Sequence, residues 1–540
     1  MNEQMPDIAV KFIDSVIKRM RYRRKVRQEV RRELEAHFED GLRDCRDEED
    51  KRKRTDELIE GFGQPKLLAR LIRRGKKRCR PMYVKALLGT VKAFGIFFLA
   101  MVLYIVWFFS GKPVITTNYM EVMNERVKPV VADENLNAWP MYKKAAESYV
   151  KPSDEKFDTR FANLSDLTEE QRRILDKWIA DNQTAVDYVL QGNQKPHYWQ
   201  QYSGSSDEPA EMLSMLIPNL SDYRNIASIL VALAKVKAEK GDFNGAFGDL
   251  LEVFDFGVHL RGQNTTLIEQ LVAIAIKNRS AESIRLLVQK YPVDTELLRK
   301  TRQRFEQLTP KDSYTVDFES EKLFLLDEIQ RSFVVSRIGK SHLYIKRLSR
   351  LGLALSAGER EMYSSAGAVF RILFTHPDKE ETIKSVECFY SFMGKLSQMS
   401  PAKQKAGGMS ADEEVEKIAK GNMVIGWLLP ALDKVTALSF RDRIGCEATL
   451  TVLALKLYQQ DKGSLPEDIE QLVKDGYISS VPVDPYSDKP LIYKKVGQDF
   501  TLYSVGTDFE DDGGTVGKDK NGNVKMWETD GDAVFWPVEN

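Results

Sequence analysis

Apolar positions recur at helical intervals over residues 7–72. Ile8, Val10, Phe12, Ile13, Val16, Ile17 and Met20 give one amphipathic helix, and Val26, Val30, Leu34, His37, Phe38 and Leu42 give a second. A third helix holds Leu58 and Ile59 and stops at Gly61-Phe62-Gly63. Pro65 then opens a short helix carrying Leu67, Leu68, Ala69, Leu71 and Ile72. Over residues 93–109 the polar positions vanish for 17 residues, and upstream only Lys92 interrupts an uncharged run spanning 86–111. Beyond residue 112 the helical period returns, most plainly over 223–240, 243–260 and 266–289, with stops at Gly241-Asp242, Arg261-Gly262 and Pro292. Near the C-terminus a helix with Ile444, Ala448, Thr451, Val452, Leu455 and Tyr458 on one face ends at Asp461-Lys462-Gly463. Two short strands follow at 491–494 and 500–504, around a turn at Gly497-Gln498.

The uncharged run predicts a membrane span. A bilayer core of about 30 Å needs about 20 apolar residues at 1.5 Å each. Lys92 lies near the edge and can snorkel, while Tyr83, Tyr104 and Trp107 suit an interfacial belt. Arg73, Arg74, Lys76, Lys77, Arg78, Arg80 and Lys85 precede the run, and Lys112 stands nearly alone after it. The positive-inside rule therefore expects a cytoplasmic N-terminus and an extracytoplasmic C-terminal portion. The apolar stretch 421–432 is too short to span and is broken by Pro430.

Charge reinforces this division. The 540 residues carry 80 Lys+Arg and 80 Asp+Glu, a net of zero. Residues 1–85 nevertheless hold 25 basic and 16 acidic residues, a net of +9, so the remainder sums to −9. A mean hydropathy of −0.39 excludes a polytopic membrane protein, and 4 Cys exclude a disulfide-built scaffold. Cys388 and Cys446 would both lie outside the membrane and could pair in an oxidising compartment. The basic run over 18–32 lacks interleaved aromatics beyond Tyr22, and acids follow at once. No nucleic acid partner is expected; a solvated helix face near anionic headgroups fits better.

Two motifs in the head carry a resemblance. Glu33-Leu34-Glu35-Ala36-His37-Phe38-Glu39-Asp40 and Gly61-Phe62-Gly63-Gln64-Pro65-Lys66-Leu67-Leu68-Ala69-Arg70 resemble the HAAS family of small helical signalling domains, with Phe62 where the family carries Leu. The resemblance covers about 65 residues and implies a domain placed before a membrane helix, with a PadR-type transcriptional regulator as a partner to test. His37 is expected to be a half-buried structural residue.

Catalytic chemistry is not visible. His37, His197, His259, His342 and His376 lie far apart in sequence, and no His-Glu-x-x-His pair or Gly-x-Ser-x-Gly elbow occurs. Gly339-Lys340-Ser341 ends like a P-loop, but position 334 is Val334, so no phosphate cradle is expected. The segment 238–246 is like the turn between helices of a tetratricopeptide repeat, yet one turn does not make a repeat array.

Residues 440–536 carry a second resemblance. Leu455-Lys456-Leu457-Tyr458, Pro466, Pro482-Val483-Asp484-Pro485-Tyr486, Pro490, Tyr493, Phe500, Tyr503-Ser504-Val505-Gly506-Thr507-Asp508 and Trp536 follow the order seen in the soluble domain of the major pseudopilin of type II secretion. Tyr486-Ser487-Asp488-Lys489 departs from that family's Trp-Gly, and the acidic loop is longer. The resemblance implies a calcium site built from Asp508, Asp530, Asp532 and the Val505 carbonyl. Eight acids and three Lys over 508–532 suit a hard cation. Asp508-Phe509-Glu510-Asp511-Asp512-Gly513 mimics an EF-hand start, but position 12 is Asp519 and no helices are expected to flank it. A fibre subunit is not expected, because the membrane helix lies some 330 residues upstream.

Together these readings predict a mainly α protein with a small C-terminal α+β module and one transmembrane helix. The expected order is a cytoplasmic HAAS-like head (1–85), the span (86–111), an extracytoplasmic helical domain (112–400), a linker and connecting helix (401–439) and the pseudopilin-like module (440–540). The expected role is an inner-membrane scaffold or signalling protein, not an enzyme, with an envelope protein as partner. A component of a type II secretion or pilus-like assembly is the alternative, and an extracytoplasmic enzyme of unknown class the third reading.

Overall fold

The computed structural model describes residues 5–538, other than 79–81, 155, 158, 160–162, 205–208, 216, 218, 263, 310–314, 336–340, 348–370, 423, 426–431, 520–523 and 528–529. It divides into two compact units, Met1–Trp107 and Phe108–Asn540.

In the first unit, α1 (Asp7–Arg19), α2 (Arg24–Leu42), α3 (Glu48–Phe62) and α4 (Pro65–Arg78) enclose Phe12, Ile13, Val16, Val30, Leu34, Phe38 and Ala69. The Asp47 side chain caps α3 by accepting from Asp50 N at 2.7 Å, and Gly63 ends it at a φ of 71°. Helix α4 runs a turn further than the apolar pattern predicts. Lys76 accounts for it by donating to Glu29 and Glu33 of α2 at 3.0 and 2.8 Å. His37 is exposed rather than half-buried, with its ring 5.1 Å from that of Phe62 in an edge-on contact. Helix α5 (Met82–Phe108) contains Ala86–Phe108, a stretch long and apolar enough to cross a membrane. At 1.5 Å per residue its 23 residues reach about 35 Å. Phe94, Ile96 and Leu103 are exposed along it, which rules out a core helix.

The second unit is mainly helical. It begins with α6 (Tyr119–Val127), α7 (Trp139–Glu147), α8 (Glu169–Asp181) and α9 (Gln183–Asn193). Next come α10 (Leu220–Glu239), α11 (Phe243–Arg261), α12 (Leu267–Lys290) and α13 (Thr295–Gln307). The three helices expected over 223–289 therefore form within a few residues of their predicted bounds. Asp242 supplies the cap between the first two, accepting from Gly245 N at 2.9 Å. Thr266 and Glu269 form a capping box at the start of α12.

Helix α12 is buried on nearly all sides because α10, α11 and the long helix Asp433–Lys462 pack around it. Helices α14 (Glu319–Ser332), α15 (Lys379–Leu396), α16 (Pro401–Ala406) and α17 (Ala411–Gly421) complete the body, with α14 packed on α15 and α6. A buried ion network fixes α14: Arg347 pairs with Glu328 and with Glu211, and Arg331 with Asp327. Strands β1 (Phe333–Val334) and β2 (His342–Leu343) pair beside it.

Close packing leaves one glycine no alternative. A Cβ on Gly192 of α9 would stand 2.2 Å from Cε1 of Tyr142, whose ring is fully buried against Phe256 and Tyr223. Gly192→Ala is expected to destabilise the protein by about 1–3 kcal/mol through overpacking, read as a lower denaturation midpoint.

Helix α18 (Asp433–Lys462) is continuous for 30 residues, so the junction expected at 439/440 falls inside a helix. The segment 401–439 holds α16, α17 and the start of α18. Gly463, at a φ of 72°, ends α18, and α19 (Ile469–Lys474) follows. Strands β3 (Val483–Asp484) and β4 (Lys489–Pro490) form a small hairpin. Strands β5 (Ile492–Val496), β6 (Asp499–Ser504) and β7 (Ala533–Trp536) form an antiparallel sheet with β6 in the centre. The sheet closes on α18, where Phe500 stacks on Trp536 at 5.4 Å and Lys456 donates to Asp499 at 2.8 Å. Strand β7 is not predicted by the sequence, and neither are the short pairs β1–β2 and β3–β4. One hydrophobic core runs from Ala138 to Trp536, so the helical body and the C-terminal sheet share their interior.

Candidate functional site

The acidic loop hangs between β6 and β7. Its anchor is Asp484 of β3, a buried carboxylate that accepts from Ser504 Oγ at 2.7 Å, Tyr486 N at 3.0 Å and Val505 N at 3.1 Å. Asp484 thereby ties the Pro482–Pro485 turn to the exit of β6. Asp508 holds the far side of the loop, accepting from Gly531 N at 2.8 Å and Glu510 N at 3.1 Å. Asp532 accepts from Gly514 N at 2.6 Å through Oδ2, while its amide donates to Thr515 O at 2.8 Å.

Two glycines permit this closure. Gly506 has a φ of 74°, and a Cβ there would meet Gly531 O at 2.6 Å. Gly531 has a φ of 139°, and its Cβ would meet Gly517 N at 2.5 Å.

The fold therefore brings Val505, Asp508 and Asp532 to one loop base, with Asp530 exposed beside them. Among the described residues, no three carboxylate, histidine or cysteine side chains surround a point where a metal ion could sit. One atom nevertheless favours a cation. Asp532 is 0% exposed, and its Oδ1 has no hydrogen-bond partner. Burial pushes the Asp532 carboxyl above its ordinary range, and the charges of Asp511 and Asp512 add to the rise. Asp511 is engaged elsewhere, accepting from the Tyr503 hydroxyl at 2.8 Å.

A second constellation lies in the helical body. A cleft of about 880 Å³ is walled by Val130, Val258 and Tyr198 and carries His197, His259, Arg261 and Lys277. Lys277, 2% exposed, donates to Asp442 Oδ2 at 2.7 Å, and Arg261 donates to the same oxygen at 3.2 Å. Lys277 also lies 5.5 Å from the Phe254 ring centroid. No Cβ fits at Gly257, because Lys277 Cγ would lie 2.7 Å from it.

His259 stands 2.7 Å from the Tyr142 hydroxyl, which is also 2.8 Å from Asn193 Oδ1. If Tyr142 donates to Asn193, its oxygen accepts from His259 Nδ1–H, leaving Nε2 4.0 Å from Asp255. Burial pulls the His259 imidazole down to about 4, helped by His197 and Arg304. Burial pushes the Asp255 carboxyl up to about 6 against the opposing pull of Arg304, 2.9 Å away. Two histidines 62 positions apart in sequence thus share one cleft. Similarly, His342 and His376 both pack on Phe108, at 5.2 and 5.9 Å.

No family model, curated protein or solved structure matches the chain. Its chemistry is therefore read from its own residues. The P-loop-like tripeptide lies partly outside the described residues. Ser341, which is described, accepts from Lys379 N at 2.6 Å as a loop tie. Cys388 is exposed and Cys446 is buried, with its thiol 4.0 Å from Asp442 Oδ1, and no disulfide joins the two.

Proposed function

We propose that the chain is a single-pass membrane protein with a cytoplasmic helical head and an extracytoplasmic body that serves as an interaction scaffold. The observation that carries this reading is the exposed apolar stretch Ala86–Phe108 of α5, preceded by a dense basic segment and followed by almost none. The HAAS-like and pseudopilin-like readings rest on their motifs alone. They point to a regulator of the PadR type at the head and an envelope protein at the body.

Native cysteines test the orientation. In intact spheroplasts a membrane-impermeant maleimide is expected to label the exposed Cys388 and to spare Cys45 until the membrane is opened. Labelling of Cys45 alone would reverse the orientation, and recovery of the protein in the soluble fraction would remove the span.

The acidic loop is proposed to take Ca²⁺, with Asp508, Asp530, Asp532 and the Val505 carbonyl as its ligands. The orphaned Oδ1 of Asp532 supports this, since a hard cation would satisfy it and relieve the repulsion from Asp511 and Asp512. The full chain is the proper sample, because α18 is embedded in the shared core. Calcium should raise its unfolding midpoint by about 2–4 °C over chelator, and Asp532→Asn should abolish the rise. Equal midpoints in calcium and chelator would end the proposal.

A further inference from the structure

Where the C-terminal sheet meets the helical body, a cavity of about 240 Å³ opens between α12 and α18 and the segment leading into β7. Arg285 of α12 and Arg441 of α18 line it, and Met526, Trp527 and Phe535 close the other side. Arg285 is 5% exposed. Its hydrogen bonds among the described residues go to neutral acceptors, Thr449 Oγ1 at 2.5 Å and Gly445 O at 3.4 Å. Its Nε is buried with no partner, and so is the Nε of Arg441.

Both guanidinium groups lie over aromatic faces. Arg285 is 5.6 Å from the Phe535 centroid, and Arg441 is 5.3 Å from that of Trp527. The Tyr486 ring stands 5.6 Å from Trp527, and its buried hydroxyl lies beside the Arg441 guanidinium. The described charged residues lining the cavity are these two arginines and Glu282, which is exposed.

A buried cation with only neutral acceptors is costly, and stacking on rings offsets part of that cost at most. Water can satisfy the orphaned N–H groups but brings no compensating charge. An oxyanion does both, since its oxygens accept from two guanidinium groups at once. The volume corresponds to about eight waters at ~30 Å³ each. That admits a carboxylate or phosphate group with a short attached body, not a large ligand.

We propose that this cavity is a binding site for a small oxyanion, gripped by Arg285 and Arg441 and roofed by Trp527 and Phe535. The bound anion joins three elements that sequence places far apart: α12, α18 and the end of the acidic loop. Occupancy therefore clamps the C-terminal sheet to the helical body. The site is independent of the membrane and calcium readings and is tested in chelator.

The test is thermal unfolding and titration calorimetry of the full chain in detergent. Sodium phosphate and sodium acetate are compared with sodium chloride at equal ionic strength. Saturating phosphate or acetate should raise the midpoint by about 2–4 °C over chloride, and the larger response identifies the phosphate or carboxylate arm. Arg285→Met and Arg441→Met should each abolish both the shift and the binding heat. In chloride, Arg285→Met should melt no lower than wild type, because it removes a buried cation. Should Arg285→Met fail to fold, the half-buried Arg441 position carries the same comparison.

Equal midpoints in all three salts without binding heat would overturn the proposal, as would a shift that survives both substitutions.

Discussion

Asp442→Asn is expected to lower stability by about 3–5 kcal/mol, the largest single loss in the helical body. The wild-type carboxylate is fully buried and takes both Lys277 and Arg261 on one oxygen. An amide keeps the shape but removes the charge, leaving two cations in a region where water screens them poorly. Lys277→Met should cost less, because Asp442 retains Arg261. The triple change Asp442→Leu, Lys277→Met and Arg261→Met should recover most of the loss, since buried ion clusters often exchange for apolar packing at little net change. Chemical denaturation of the full chain reads all three. A single Asp442→Asn loss below about 1 kcal/mol would show that the cluster is solvated rather than buried.

The second large effect concerns pH. The Asp255 carboxyl is held protonated up to about pH 6 in the native state, against 3.8 for an unperturbed aspartate. Between those values the native state binds the extra proton, so this group makes stability fall as pH rises. His259 works in the opposite direction. The unfolded chain takes a proton below 6.5, the native imidazole only near 4, so stability falls as pH drops through that window. Each shift is worth about 3 kcal/mol, and over roughly pH 4–6 the two slopes cancel.

The contributions of these two groups to wild-type stability should therefore offset each other across that range. His259→Gln should expose the aspartate slope, losing about 3 kcal/mol as pH rises from 4 to 6.5. Asp255→Asn should expose the histidine slope, losing a similar amount as pH falls over the same interval. Parallel profiles for the two variants would refute the pairing. Glu252, Arg304, His197 and Tyr142 surround the pair and are unchanged in both variants.

What the sequence revealed depended on how local each cause was. The helices over 220–290 were readable because apolar period, caps and glycine stops all lie within one segment. The length of α4 was not, because Lys76 extends it through partners on α2. Strand β7 is a run of four residues that becomes a strand only by pairing with β6. The acidic loop is legible as a charge cluster, but the hydrogen bonds that close its base, Gly531 N to Asp508 and Gly514 N to Asp532, are not. The anchor Asp484 sits in a Pro-x-Asp-Pro motif that carries no sign of its partner Ser504, 20 residues on. The clefts were invisible. His197, His259, Lys277 and Asp442 come from separate segments, and so do Arg285, Arg441 and Trp527. Only tertiary packing makes either set a unit.

The long helix α18 sets the order in which the molecule can be made. Helices α11, α12 and α13 are finished by Gln307, yet the surface that covers α12 and α13 arrives with Asp433–Lys462, roughly 150 residues later. At about 5–20 residues per second, translation leaves those apolar faces bare for roughly 8–30 s. During that interval the nascent body is a chaperone client by construction. A chain stopped before α18 should be cleared by proteases rather than accumulate.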